Sequence, residues 1–221
     1  SDTPEELWKL LEPYEAMTVA HHVGGGPIAT DWSIAPDPRE RLVEVASIHG
    51  SSEYYGCEKC IYRPVKGGFV RDALARGYRL GMIGGGDTHD GHPGQQSAGA
   101  PITGIMGIYA TGLTRDEIWE AMEERRVYAT TGPKIILNFR VADSPMGSEV
   151  EWPASRGPIP IAFRAVGCVE IERIEIIRDG TVVFSEKGTD LIAQNLIEDP
   201  APPEGLTWYY LKVVQKDGNM A

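Results

Sequence analysis

An α/β half followed by an all-β half is what this 221-residue sequence predicts, on three observations. Helix-like and strand-like runs alternate over the first half of the chain, the pattern of a parallel sheet or barrel segment. All five histidines lie between His21 and His92, in Gly-rich loops that follow short apolar runs, which is where α/β proteins gather their active sites. Beyond Thr131-Gly132-Pro133 the helix signals give way to β-branched and aromatic runs. Residues 1–133 are therefore expected to be the α/β part and 134–221 an antiparallel, immunoglobulin-like β-sandwich.

The chain opens on Thr3-x-x-Glu6 with Pro4 at the first helical position, a capping box that predicts a helix to about Leu11, stopped before Pro13. A short strand over 16–20 leads into His21-His22, and a polar stretch rich in Pro and Asp (31–39) precedes a second strand, 42–48, that ends at His49. A helix over about 68–76, closed by Gly77, feeds a third strand, 78–83, which runs into the loop of Asp87, His89 and His92. A strand over 103–110 follows, then a helix capped by Thr114-x-x-Glu117 and reaching about Arg125, then a strand over 127–129. In the second half, strands are expected at 135–141, 159–165, 171–177, 181–184 and 208–214, with Arg178-Asp179-Gly180 as a hairpin turn. Residues 215–219 read as another hairpin turn, and the sandwich is expected to lack its last strand.

Composition bounds the function. A net charge of −11 disfavours nucleic acid, whose binding draws on Lys and Arg displacing counterions. No apolar run approaches the roughly 18 residues of a membrane span, and the acidic opening is unlike a signal peptide. Three cysteines make no disulfide framework and lean towards a reducing cytoplasm; Cys57-Glu58-Lys59-Cys60 has C-x-x-C spacing without a second pair to complete a zinc site.

The clustered imidazoles and carboxylates read as a metal centre. In an extended segment residues i and i+2 point the same way, so Asp87 and His89 can face one ion, and Gly84-Gly85-Gly86 allows close backbone approach. Adjacent His21 and His22 cannot both face that ion from extended backbone, so within the metal set His21 is the expected ligand and His22 a residue that supports a ligand or contacts substrate. Glu44 sits inside an apolar strand, where a carboxylate needs a cation or a basic partner. His49, Glu53 and His92 lie in loops at the same end and, with Glu44, form the candidate catalytic set. His and carboxylate ligands suit Zn²⁺, Mn²⁺ or Fe²⁺, and hydrolysis by activated water is the chemistry they serve. A binding module with a structural ion is the alternative, and a C-x-x-C redox protein a third reading.

The series 19–24 (Val-Ala-His-His-Val-Gly), Val43-Glu44-Val45, 49–53 (His-Gly-Ser-Ser-Glu), 77–81 (Gly-Tyr-Arg-Leu-Gly) and 86–94 (Gly-Asp-Thr-His-Asp-Gly-His-Pro-Gly) resembles the PHP (polymerase and histidinol phosphatase) superfamily, and more narrowly its carbaryl-hydrolase-like branch. The likeness extends through 113–132 into the sandwich. It implies a distorted (β/α)7 barrel holding two or three divalent ions and hydrolysing small phosphoester, ester or carbamate substrates. His21 matches a late barrel ligand, Asp87 and His89 the terminal D-x-H pair, and Glu44 a strand-end acidic position. The H-x-H of that family's opening strand has no counterpart here, so the expectation is a partial barrel. Alone it should bind metal weakly and hydrolyse slowly, and it should bury its open edge by self-association or by keeping an N-terminal fragment.

Overall fold

The computed structural model describes residues 3–89, 91–92, 102–200 and 204–221. Helix α1 (Pro4–Leu11) forms as its capping residues dictate, with Thr3 Oγ1 accepting from the Glu6 amide. Its one buried side chain, Trp8, donates from the indole to Thr18 Oγ1 at 3.2 Å and so ties the helix to β1 (Thr18–Ala20). Strand β1 runs parallel to β2 (Glu40–Ser47), which turns back through β3 (Gly50–Ser51). After α2 (Val70–Ala75) the chain enters β4 (Gly81–Gly84), parallel to β2 on its other side. Val43 packs with Val23, Trp32, Val70, Ala73, Leu74 and Tyr78 on one face, while Leu42 is buried on the other. The Trp32 indole donates to Gly68 O at 2.8 Å, holding the long 31–39 stretch against α2.

The described residues form no barrel. β5 (Ile105–Ile108) and β6 (Val127–Thr130) flank α3 (Arg115–Glu123) as expected, but they pair antiparallel, Ile105 opposite Thr130 and Ile108 opposite Val127. A helix spanning an antiparallel pair does not make the right-handed parallel crossover that repeats around a barrel. The described residues hold three α-helices against thirteen strands, and only β1, β2 and β4 are mutually parallel. The α/β class with a (β/α)7 barrel is thus replaced by a mostly β chain with a small open mixed sheet.

The second half is sandwich-like. β7 (Ile136–Val141), β8 (Ser144–Pro145), β9 (Ile159–Val166) and β12 (Ile192–Asp199) form one antiparallel sheet in the order β12-β9-β7-β8. β10 (Ile171–Arg178), β11 (Thr181–Lys187) and β13 (Tyr209–Gln215) form the other, in the order β11-β10-β13. Alternate residues Leu137, Phe139, Ile161, Phe163 and Ala165 of the first meet Ile174, Ile176, Leu211 and Val213 of the second in one core. The β10–β11 turn has Asp179 at φ 48° and Gly180 at φ 80°, the two left-handed residues a tight hairpin requires. The turn at 216–219 also forms, and Met220 and Ala221 pair back onto Val214 and Val213.

The two halves meet along β13. Arg71 of α2 donates to Tyr210 Oη at 2.7 Å and to Gly180 O at 2.9 Å. Beside this seam lies a cavity of about 710 Å³ walled by Leu80, Met82, Phe139, Met146, Trp152 and Trp208. Among the described residues no helix is long and apolar enough to cross a membrane.

Candidate functional site

Because β1, β2 and β4 are parallel, their C-terminal ends share one edge, and the loops that leave it carry His21-His22, His49 and Asp87-His89. Asp87 is the hub. Its Oδ2 lies 2.5 Å from His49 Nε2, and its Oδ1 lies 3.0 Å from His89 Nε2 and 3.4 Å from His21 Nε2. The Asp87 side chain is only 10% exposed, whereas His21 is 41% and His89 88% exposed, so the carboxylate forms the floor and the imidazoles the rim. Asp87 and His89 thus bond to each other, from a left-handed Asp87 rather than from extended backbone.

Glu44 stands behind His21. Its Oε1 accepts from His21 Nδ1 at 2.9 Å and from the His22 amide at 3.2 Å. A carboxylate can only accept, so His21 carries its proton on Nδ1, and in the neutral ring this leaves Nε2 as a lone pair turned towards Asp87. Gly85 leaves room for this carboxylate, since a Cβ at that position would overlap Glu44 Oε2 and push it aside. The Glu44 hydrogen bond lifts His21 above the ordinary imidazole value against the opposing effect of burial, with the charges of Glu44 and Asp87 adding to the rise. Burial pushes Asp87 up, but the His89 hydrogen bond and the charges of His21, His49 and His89 outweigh it and hold the carboxyl below its ordinary range.

His22, at φ 38°, sits beside the cluster: its ring centroid lies 4.0 Å from that of His21 and 5.8 Å from that of His49, and its Nδ1 donates to Ile28 O at 3.1 Å. Asp87, at φ 45°, is the site's other left-handed residue; such backbone concentrates at functional sites. His49, expected among the catalytic residues, instead faces Asp87 directly and is braced edge-on by Tyr62 at 5.4 Å. His92 is exposed, and its carbonyl accepts from Thr88 Oγ1 at 3.1 Å.

Glu53 is elsewhere engaged. Its carboxylate accepts from Lys212 Nζ at 2.7 Å, Tyr210 Oη at 2.6 Å and Arg71 Nη2 at 2.9 Å, which makes it a tie between the halves rather than a member of the histidine cluster. Burial alone would raise Glu53, yet Lys212, Tyr210 and Arg71 hold it below the usual carboxylate range. Sequence reading missed these three partners and Tyr62; Tyr210 and Lys212 lie 157 and 159 residues from Glu53, and no local signal joins them. The large cavity takes in Glu53 and Lys212 but none of the described histidines, so its apolar volume is separate from the polar cluster.

Among the described residues no three His, Cys, Asp or Glu side chains already stand around a common centre with metal-binding geometry. The imidazoles close directly on Asp87 instead. The chemistry of the donors is that of ligands to a divalent ion, and two of their separations match it: ligands about 2.1 Å from one ion stand about 3.0–3.4 Å apart, as His89 and His21 do from Asp87 Oδ1. His49, at 2.5 Å, has to withdraw by several tenths of an ångström, and any ring that donates to Asp87 through Nε2 has to release that proton to ligate.

Residues 94–148 match a family described as "Protein of unknown function (DUF3604)". The chain is 32% identical to an "Uncharacterized protein" of Chlamydia trachomatis serovar D and 28% identical to one of Chlamydia muridarum, in each case over 98% of this chain and 39% of the relative. An "Uncharacterized protein" of Chlamydia pneumoniae is 30% identical over 82% of this chain and 33% of its own length. The chain therefore spans about two fifths of the length of the curated relatives it matches. No solved structure matches it significantly.

Proposed function

We propose that this chain carries a metal-dependent hydrolytic centre at the carboxyl edge of β1, β2 and β4, built by His21, His49, Asp87 and His89 and acting on a small ester or phosphoester. The observation that carries the reading is the convergence of three imidazoles from three separate loops on the one carboxylate of Asp87. A divalent ion of the Zn²⁺, Mn²⁺ or Fe²⁺ kind supplies, when bound, a water acidified towards a pKa of roughly 7 and polarisation of the scissile group. The protein's own part is to orient and to admit. Glu44 fixes the tautomer and angle of His21 in the manner of a carboxylate–histidine pair, Tyr62 braces His49, and the exposure of His89 leaves one side open to substrate. That open side favours catalysis over the alternative of a closed structural ion in a binding module.

The test is metal content after dialysis against Zn²⁺ or Mn²⁺, followed by hydrolysis of p-nitrophenyl phosphate and acetate. Retained metal that is lost in Asp87→Ala and His49→Ala, with metal-dependent turnover in the parent chain, is expected. Equal metal in parent and variants overturns the centre. Tight metal with no turnover of either ester overturns the hydrolase and leaves the binding module.

A further inference from the structure

The loop that follows β3 is shut on itself. Ser51 N donates to Lys59 O at 2.7 Å and Ile61 N donates to Ser51 O at 2.9 Å, so residues 52–59 form a closed excursion. Gly56 at φ 85° and Lys59 at φ 49° supply its bends, and Cys57 N donates to Tyr54 O at 3.1 Å. Both thiols turn inward onto the same half of this loop, Cys57 Sγ to Ser51 O at 3.5 Å and Cys60 Sγ to Tyr54 O at 4.0 Å. Cys57 is buried, Cys60 partly exposed, and both are free cysteines. Behind them the loop is anchored: Glu53 is held by Lys212, and the Tyr54 ring lies 4.1 Å beneath the Arg71 guanidinium.

We propose that Cys57 and Cys60 are a modification site, a dithiol that hydrogen peroxide closes to an intramolecular disulfide within this loop. Partial exposure makes Cys60 the sulfur that meets the oxidant. Its thiolate attacks one peroxide oxygen, the O–O bond breaks, and Cys60 becomes a sulfenic acid while the other oxygen leaves as water. The Cys57 sulfur then attacks the Cys60 sulfur, the S–S bond forms, the S–O bond breaks, and the Cys57 proton leaves with the hydroxyl as a second water. Two thiols lose two electrons and one peroxide gains them. The order of events follows from the environment, because burial and contact with the Cys60 thiol push the Cys57 thiol up and keep it a protonated partner rather than the first nucleophile. Cys168, exposed in the sandwich, is the internal control.

The experiment is peroxide treatment of the reduced chain, quenching in acid and tryptic mapping. Cleavage after Lys59 separates the two cysteines, so a disulfide shows as two joined peptides about 2 Da lighter than their sum. Loss of the Cys57 and Cys60 thiols at least about tenfold faster than that of Cys168 is expected in the folded chain, with the preference lost in urea. In Cys57→Ser, a dimedone-type probe should label Cys60; in Cys60→Ser, Cys57 should stay reduced. Oxidation confined to Cys168, disulfide-linked dimers in place of the internal bond, or equal rates in folded and unfolded chains overturns the proposal.

Discussion

Replacing Glu53 by Gln tests whether the seam between the halves is held by a buried charge. The Glu53 and Lys212 side chains are each 9% exposed and sit 2.7 Å apart. Gln keeps the shape and can still accept from Tyr210 and Arg71, but it leaves the Lys212 ammonium buried without a counter-charge. Breaking one side of a buried pair costs about 3–5 kcal/mol, and at roughly 2–4 °C per kcal/mol for a chain of this size the melting temperature should fall by about 6–20 °C. The double variant Glu53→Gln/Lys212→Met should recover most of this, since the orphaned charge is gone. Acid supplies an independent reading. Glu53 is held below its ordinary value near 4.5, so its contribution is fully present above that pH and is lost as pH falls through the depressed folded value. The variant should therefore lose part of the parent's acid-limb slope. The assay is thermal unfolding by circular dichroism at pH 7 and across the acid range. A loss below about 1 kcal/mol, the value of an exposed pair, or a double variant less stable than Glu53→Gln, would refute the reasoning.

Burial, with Asp37 adding, pushes Glu40 up to about 7 from 4.5, so its favourable protonated state is lost as pH rises through that window. Glu40→Gln should stabilise by roughly 1–2 kcal/mol at pH 8, after discounting for its partial exposure, and change little at pH 4, as read from melting temperatures. Gly85→Ala drives a methyl into Glu44, and isothermal titration should show Zn²⁺ affinity reduced about 10–100-fold, the usual cost of losing a ligand's orienting partner. His22→Ala, by contrast, should change that titration far less, because the hydrogen bond its ring makes goes to Ile28 O and not to Asp87. Gly180→Ala places a Cβ at φ 80° and should cost about 1–2 kcal/mol in chemical denaturation.

Local signals were legible in the sequence. The caps of α1 and α3, the Asp179-Gly180 turn and the alternating strands of the sandwich each depend on residues a few positions apart, and each is found in the structure. The gathering of His21, Glu44, His49 and Asp87 was legible one step further out, because strand ends in a parallel sheet lie on one edge whatever else the chain does. Sequence alone did not determine which strands pair and in which direction. Strand-helix-strand reads identically for a parallel crossover and for the antiparallel β5–β6 pair, since the choice rests on what each edge can bury against the rest of the molecule. The same holds for individual side chains: a φ of 38° sets His22 Nδ1 on Ile28 O, and Glu53, two residues beyond β3 in polar sequence, is claimed by a lysine 159 residues away. Local propensities and periodicities act over one or two turns of chain and can be read from composition and spacing; pairing direction and ion partners are set by long-range burial, which exists only once the chain has folded.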